Sequence, residues 1–274
     1  MDNSELISRL AYVCYCSSYV RTLHIQEEGG TVKIRGQLHL FLRAKSDTFK
    51  STMLKQIARH FKIRTKELIT NAGLVGTIDK NEGVIPGECW RARNSLMLLD
   101  EFNIDGESNC VPSLLTLLED QEYSKSIGRR THEKREEDGD LFFEVKNGEI
   151  GVKTRFSCVI CSMRKIEKSR SVNVEALLSR CVVLRYNLTP EEVKRVMNGF
   201  PLLSIKKCPF KKPFDRIIGK KAYKEIMNCV ESYPNFDMDK HFPRIVGDCC
   251  RVFAVLGRHD KELYHEITRL AQEL

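Results

Sequence analysis

No run of eighteen apolar residues occurs in this chain of 274 residues, which excludes a membrane-spanning helix. The opening, Met1-Asp-Asn-Ser-Glu5, is acidic and polar. It lacks the basic-then-apolar order of a secretion signal, so a location inside the cell is expected: the nucleus in a eukaryote, the cytoplasm otherwise. Eight prolines and sixteen glycines are too few for a fibrous or low-complexity chain, which leaves a globular one. A second CxxC is also missing. Cys158-Val-Ile-Cys161 stands alone, so no zinc site can be completed from two such pairs. Neither charge dominates: 45 Lys and Arg against 37 Asp and Glu leave +8, which permits nucleotide or nucleic-acid partners without requiring them.

What is plentiful is cysteine. Eleven are scattered through apolar segments, an odd number without a secretion signal. They read as free thiols in a reducing compartment, acting as small core hydrophobes. Cys158 and Cys161 sit in Phe156-Ser-Cys-Val-Ile-Cys161, a buried-strand pattern, with metal or redox chemistry as the alternative.

Residues 5–23 carry helical apolar spacing and predict a helix; residues 25–31, with Glu-Glu-Gly-Gly, predict a loop. Gln37-Leu-His-Leu-Phe-Leu-Arg43 reads as a buried strand, followed by a polar turn, Ala44-Lys-Ser-Asp-Thr-Phe49. Beyond it, Met53, Leu54, Ile57, Ala58 and Phe61 mark one face of a helix that starts at Lys50-Ser51. Strand, polar turn and Lys-Ser helix start form the frame of a phosphate-binding loop. Further buried strands are expected at Ser95–Phe102, where four apolar residues end in two adjacent acids, Phe156–Cys161 and Arg180–Tyr186, with a helix over Val111–Glu119. Strands alternating with helices predict an α/β fold with a parallel sheet flanked by helices.

Asn187-Leu-Thr-Pro-Glu-Glu-Val193 is a helix start, with Thr189 as cap and Pro190 at the first position. From there the chain reads all-helical, so a boundary is expected near 188: a nucleotide-binding core over 1–188 and a small helical lid over 189–274. Arg129 to Asp140 reads as an exposed charged excursion that returns through a hairpin turning at Asn147-Gly148. Lys206, Lys207, Lys211, Lys212, Arg216, Lys220, Lys221 and Lys224 form a basic tract, either a solvated surface or a nucleic-acid contact.

The strongest chemical pair is Asp100-Glu101 at the end of an apolar strand. An Asp there can hold Mg²⁺ beside a triphosphate, and the adjacent Glu can polarise an attacking water.

In order, these pieces resemble the AAA+ motor domain of the MCM (minichromosome maintenance) replicative helicases. Ile34-Arg-Gly-Gln-Leu-His-Leu-Phe-Leu42 resembles the family's lead-in to Walker A, and Lys50-Ser51 with Met53-Leu54-Lys55 its KS-x-L-L-K. Ala72-Gly-Leu-Val resembles AGLT, Leu99-Asp-Glu-Phe102 resembles IDEF of Walker B, and Leu115-Thr-Leu-Leu-Glu-Asp-Gln121 its L-x-E-A-M-E-Q helix. Ala176-Leu-Leu-Ser-Arg180 resembles the arginine-finger motif, and Pro243 to Arg251 the lid helix with the sensor 2 arginine. The resemblance covers about residues 5–272. It does not extend to the OB-fold, zinc and winged-helix parts of the family, so the chain reads as a bare motor core or a piece of something longer.

The resemblance implies an AAA+ P-loop NTPase core with a helical lid and the cofactors ATP and Mg²⁺. Ala44, Asp47, Thr48, Lys50, Ser51 and Asp100 would bind nucleotide, Ser51 and Asp100 would hold Mg²⁺, and Glu101, Arg180 and Arg244 would be catalytic. Both arginines would act on a neighbour's nucleotide in a homo- or hetero-hexamer that encircles DNA. An insert over about 122–156 stands at the presensor-1 hairpin, making Arg129, Arg130, Lys146 and Lys153 the expected DNA contacts. DNA replication or recombination is the implied setting, with no membrane.

Departures from the family pattern fall on the phosphate loop and on sensor 1. Asp47 stands where the family has a glycine, and the two small flanking positions are changed. A side chain in the backbone conformation that glycine serves costs roughly 1–2 kcal/mol. One carboxylate about 4 Å from a phosphate adds a repulsion of at most ~4 kcal/mol. Met163 replaces the sensor 1 Asn and cannot orient a water. The expectation is a weakened nucleotide site; a catalytically inactive subunit that serves active partners is the alternative. Other hairpin-bearing AAA+ classes, chelatase-like or transcription-activating, fit Arg35-Gly36 and Ala176–Arg180 less well.

Overall fold

The computed structural model describes residues 2–44, 49–67, 69–79, 83–102, 110–127, 132–137, 140–162, 172–234, 236–238 and 241–273. Helix α1 (Asn3–Ser17) starts where the Asp2 carboxylate accepts from the Glu5 N–H at 2.7 Å. It ends earlier than its apolar spacing predicts. From Val20 the chain is strand β1 (Val20–Glu27), which returns as β2 (Gly30–Arg35), so the expected loop is a hairpin turn. Pairing on both edges of β1 outweighs local helical spacing there. Gly36 then lets the chain pass close to β1: a Cβ on it would stand 2.3 Å from the Val20 carbonyl oxygen.

The centre is a sheet whose five strands all run parallel. The chain enters it through β3 (Leu40–Ala44), then α2 (Lys50–Phe61) and β4 (Thr65–Glu67). A short helix α3 (Asn71–Val75), a hairpin of β5 (Gly76–Asp79) and β6 (Gly83–Pro86), and one turn of helix, α4 (Glu88–Arg91), lead to β7 (Ser95–Asp100). Helix α5 (Cys110–Asp120) precedes a four-stranded antiparallel sheet made of β8 (Glu122–Ser126), β9 (Glu133–Glu137), β10 (Leu141–Lys146) and β11 (Glu149–Lys153). Within the expected excursion Glu133–Glu137 forms the largely exposed strand β9, and Asn147-Gly148 is the tight turn of the β10–β11 hairpin, as its residue types predict. Strand β12 (Phe156–Ser162), helix α6 (Val172–Leu178) and β13 (Val182–Tyr186) complete the parallel sheet in the order β13-β3-β12-β7-β4.

Side chains alternate across this sheet and split into two cores. Leu40, Leu42, Leu96, Leu98, Val159 and Leu184 face one cluster, with α1 and α2. Phe41, Met97, Leu99, Cys158, Ile160 and Val183 face the other, with α5, α6 and the antiparallel sheet. Burial on both faces explains why these strands are near-continuous apolar runs. Cys158 and Cys161 are buried free thiols in β12, and all eleven cysteines are free.

After β13 the chain is not all-helical, which corrects the expected lid. Helix α7 (Pro190–Met197) does open with a capping box: Thr189 Oγ1 accepts from Glu192 N at 3.2 Å and the Glu192 carboxylate from Thr189 N at 2.8 Å. Residues 200–213 form neither helix nor strand. Strand β14 (Phe214–Ile218) then pairs in parallel with β1, giving a second sheet, β14-β1-β2. Helices α8 (Lys220–Glu231), α9 (Phe242–Leu256) and α10 (Lys261–Gln272) follow. Their apolar faces join α1 and one face of the parallel sheet in a single buried cluster running from Leu6 to Ala271. No described helix is long and apolar enough to cross a membrane.

Candidate functional site

The carboxyl ends of the parallel strands gather the residues expected to bind nucleotide. Open α/β sheets bind ligands at this edge. Ala44 is the last residue of β3, while Asp47 and Thr48 lie outside the described residues. Phe49, directly before Lys50, adopts a left-handed backbone with φ 56° and ψ 23°. A left-handed backbone costs roughly 1–2 kcal/mol for a residue with a Cβ such as Phe49. Among the described residues no side chain caps the amino end of α2, where the first N–H groups of a helix suit an anion.

Lys50 is 5% exposed, and its ammonium has no hydrogen-bond partner among the described residues. Ser51 beside it is exposed. Asp100 ends β7 at 3% exposure, and its Oδ1 accepts from the Glu101 N–H at 3.0 Å. Glu101 is exposed and left-handed, with φ 50°. Strand β12 runs between β3 and β7, and its Cys161 carbonyl accepts from Phe102 N at 2.9 Å. Burial pushes the Cys161 thiol up, Asp100 adds to that and Lys50 opposes it. Two more buried polar atoms at the carboxyl ends of these strands have no partner among the described residues: the Ser162 hydroxyl at the end of β12 and the Tyr186 hydroxyl at the end of β13. Burial raises the Tyr186 pKa, which keeps that hydroxyl protonated and able to donate.

A buried ammonium at this edge suits an anion, because buried polar groups are almost always paired and a buried cation even more so. Among the described residues no group of three or more His, Cys, Asp or Glu could hold a metal ion. A cation at Ser51 and Asp100 would therefore need phosphate oxygens and water to complete its shell, which is how Mg²⁺ is commonly held. Met163 lies outside the described residues.

The two expected catalytic arginines meet at the opposite end of the sheet. Arg244, on α9, donates to the carbonyl oxygen of Cys181. Arg180 precedes that residue; it donates to the Ala176 carbonyl at 2.7 Å and pairs with Glu119. Register runs from Val182 against Leu40 to Tyr186 against Ala44. Roughly 13 Å of strand thus separates the Arg180 end from the Lys50 end.

More charge surrounds this point than sequence reasoning found. Arg251 donates to Asp248 at 2.7 Å and to the Arg35 carbonyl at 3.2 Å, and Asp248 lies 3.8 Å from Arg244 Nε. Burial and the neighbouring Arg251 lower Arg35 to about 10. Burial pushes the Cys181 thiol up to about 12 against the pull of Arg244, Arg35 and Arg180. The Arg251–Asp248 spacing of three was a legible helical pair; the approach of Arg35 depends on the β1–β2 hairpin and left no local signal.

Lys146 and Lys153 share one face of the antiparallel sheet but stand at opposite ends of the β10–β11 hairpin. In register, that face also carries Glu122, Glu136, Glu144 and Glu149 beside Lys134. Four carboxylates against three ammoniums give no positive field for a phosphate backbone. Arg129 and Arg130 lie outside the described residues. No known family model matches the chain, and no curated protein matches it.

Proposed function

We propose that this chain is a divergent AAA+ subunit of the MCM kind. It would bind ATP and Mg²⁺ weakly at the carboxyl edge of its parallel sheet and lend Arg180 and Arg244 to a neighbouring subunit's nucleotide in a DNA-encircling ring. The observation that carries this reading is Lys50: a buried ammonium with no partner among the described residues, at the start of a helix that no described side chain caps, at the same edge of the parallel sheet as Asp100. Lys50 would pair with phosphate oxygens, and the α2 N–H groups would donate to them. Ser51 and Asp100 would hold Mg²⁺, which when bound neutralises charge on the phosphates. Glu101, exposed beyond Asp100, would polarise a water.

Arg180 and Arg244 stand too far from Lys50 to reach the same phosphate, which supports action in trans. A guanidinium supplied to a neighbour's phosphoryl group contributes about 10³–10⁵ in rate. A second reading, a subunit that never hydrolyses nucleotide and serves only active partners, is favoured by the strained Phe49 in the phosphate loop.

Calorimetric titration of the purified chain with ATP, with and without Mg²⁺, tests the first reading. Weak binding that strengthens with Mg²⁺ and is lost in Lys50→Ala is expected. Sub-micromolar binding would contradict a weakened site, and binding indifferent to Lys50→Ala would move the nucleotide elsewhere. Arg180→Ala, mixed with a catalytically competent partner subunit, should assemble without raising the partner's ATPase rate.

A further inference from the structure

Segments far apart in the sequence meet around a cavity of about 520 Å³ that shares no residue with the Lys50 edge. It lies between α1, Arg195 of α7, the irregular stretch 202–206, and the turn from α9 to α10. Val13, Leu202, Leu256 and Leu263 give it an apolar lining. The irregular stretch is held in place on two sides. Gln56 Oε1, on α2, accepts from Leu202 N and from Leu203 N, each at 3.0 Å. The buried Ser8 hydroxyl accepts from Ser204 N at 3.1 Å and donates to the Ser4 carbonyl at 2.6 Å. Arg9 joins α1 to the start of α10, its Nη2 donating to Asp260 at 2.6 Å. A cavity fixed in this way needs little ordering before a ligand enters.

Its charges are unevenly committed. Three carboxylates line it, and each is engaged. Asp2 accepts from Glu5 N at 2.7 Å, Glu5 stands 3.6 Å from Arg9, and Asp260 takes both Arg9 and Leu263 N. Arg195, Lys206 and Arg258 also line it, and among the described residues none of the three has a carboxylate partner. We propose that this cavity is a binding site for a small organic phosphate monoester with an apolar body. A phosphate monoester is close to a dianion at pH 7 and offers three acceptor oxygens, and two guanidiniums and an ammonium match it. The leucines and Val13 take up the apolar body, and the volume lies in the range of small-molecule sites, about 300–1,000 Å³. The site does not rest on the function proposed above.

Calorimetric titration of the full chain and of its Lys50→Met variant with phenyl phosphate, inorganic phosphate and phenol tests this. Both proteins should bind phenyl phosphate alike. Inorganic phosphate should bind about tenfold more weakly or worse, since it leaves the apolar lining unused, and phenol should not bind measurably. Arg195→Met and Arg258→Met, both at exposed positions, should each weaken phenyl phosphate by about tenfold or more. Ser204→Phe, which adds a ring to the lining and removes no charge, should block it; should that variant misfold, the two arginine variants decide. Loss of binding in Lys50→Met would put the phosphate at the nucleotide edge and overturn the proposal. Equal affinity for inorganic and phenyl phosphate, or unchanged affinity in both arginine variants, would reduce the site to surface charge and overturn it as well. Absence of phenyl phosphate binding would do the same, and tighter binding of a capped phosphotyrosine peptide would replace the small molecule by a protein.

Discussion

Arg244 donates to the main-chain oxygen of Cys181, so helix α9 grips the peptide that directly follows Arg180. A helix near the end of the chain thereby sets the position of a residue at the amino end of the parallel sheet. Arg244→Ala leaves that carbonyl without its donor and should cost about 1–3 kcal/mol. Arg180→Ala removes a pair with the half-exposed Glu119 and should cost under ~1 kcal/mol. Urea unfolding should show a lower midpoint with unchanged slope for Arg244→Ala and little change for Arg180→Ala. Equal losses would mean that Arg244 does not hold this peptide.

Lys50→Met keeps the length of the side chain and removes a buried charge that has no partner among the described residues. Replacing a buried ion by an apolar group of similar volume gains about 1–4 kcal/mol. The variant should unfold at higher denaturant than the wild type while losing nucleotide binding. A destabilised variant would mean that the ammonium has a partner in the free protein.

Phe49 separates two effects in one position, ring packing and backbone strain. Phe49→Ala and Phe49→Gly both lose the ring, but only glycine relieves the left-handed φ of 56°. The glycine variant should be the more stable of the two by roughly 1 kcal/mol, and the tighter nucleotide binder. Equal stabilities by denaturant unfolding would place the strain elsewhere.

His39 lies buried just before β3, and its Nδ1 accepts from Cys158 N at 3.2 Å. Burial, with Arg35 and Arg251 adding, holds its folded-state pKa well below the usual value. Below about pH 6.5 the unfolded chain takes up a proton that the native state refuses. Stability is therefore full above that pH and falls as pH drops, by up to ~1.4 kcal/mol per unit. His39→Gln should flatten this slope between pH 6.5 and the depressed folded-state value; an unaltered slope in unfolding measurements at several pH values would assign it to carboxylates.

DNA binding is expected to be non-specific and steeply salt-dependent, since neutralising each phosphate releases counterions. Removing the charges of Lys206, Lys207, Lys211 and Lys212 should reduce the log–log dependence on salt by about 0.9 for every phosphate that is no longer neutralised. Changing Lys146 and Lys153 should do less, because glutamates share their face. The opposite ranking would restore the hairpin as the DNA-binding element.

Some of this architecture was legible in local patterns. Ser95–Asp100 and Phe156–Ser162 read as strands because both faces are covered and every position wants an apolar side chain. Lys50–Phe61 showed its helix by one apolar face, and Thr189 with Glu192 showed a start by residue type alone. Illegible were the elements that exist only through distant partners. Val20–Glu27 became a strand by pairing with Phe214–Ile218, which lies inside a lysine-rich tract with no strand signal of its own. At the candidate site, Lys50, Asp100 and Glu101 could be named from order along the chain. The unpartnered hydroxyls of Ser162 and Tyr186 could not, because solvation is a property of the assembled edge.

The pairing of β1 with β14 has a consequence for biosynthesis. As the chain leaves the ribosome, β1 and β2 emerge early, but the second neighbour of β1 is among the last strands made. Until then, one side of β1 offers unpaired N–H and C=O groups, a template for any extended segment nearby. The apolar face of α1 waits longer still for α9, which follows β14 in the chain. Truncations that remove Phe214 onward are expected to aggregate instead of leaving a smaller folded core.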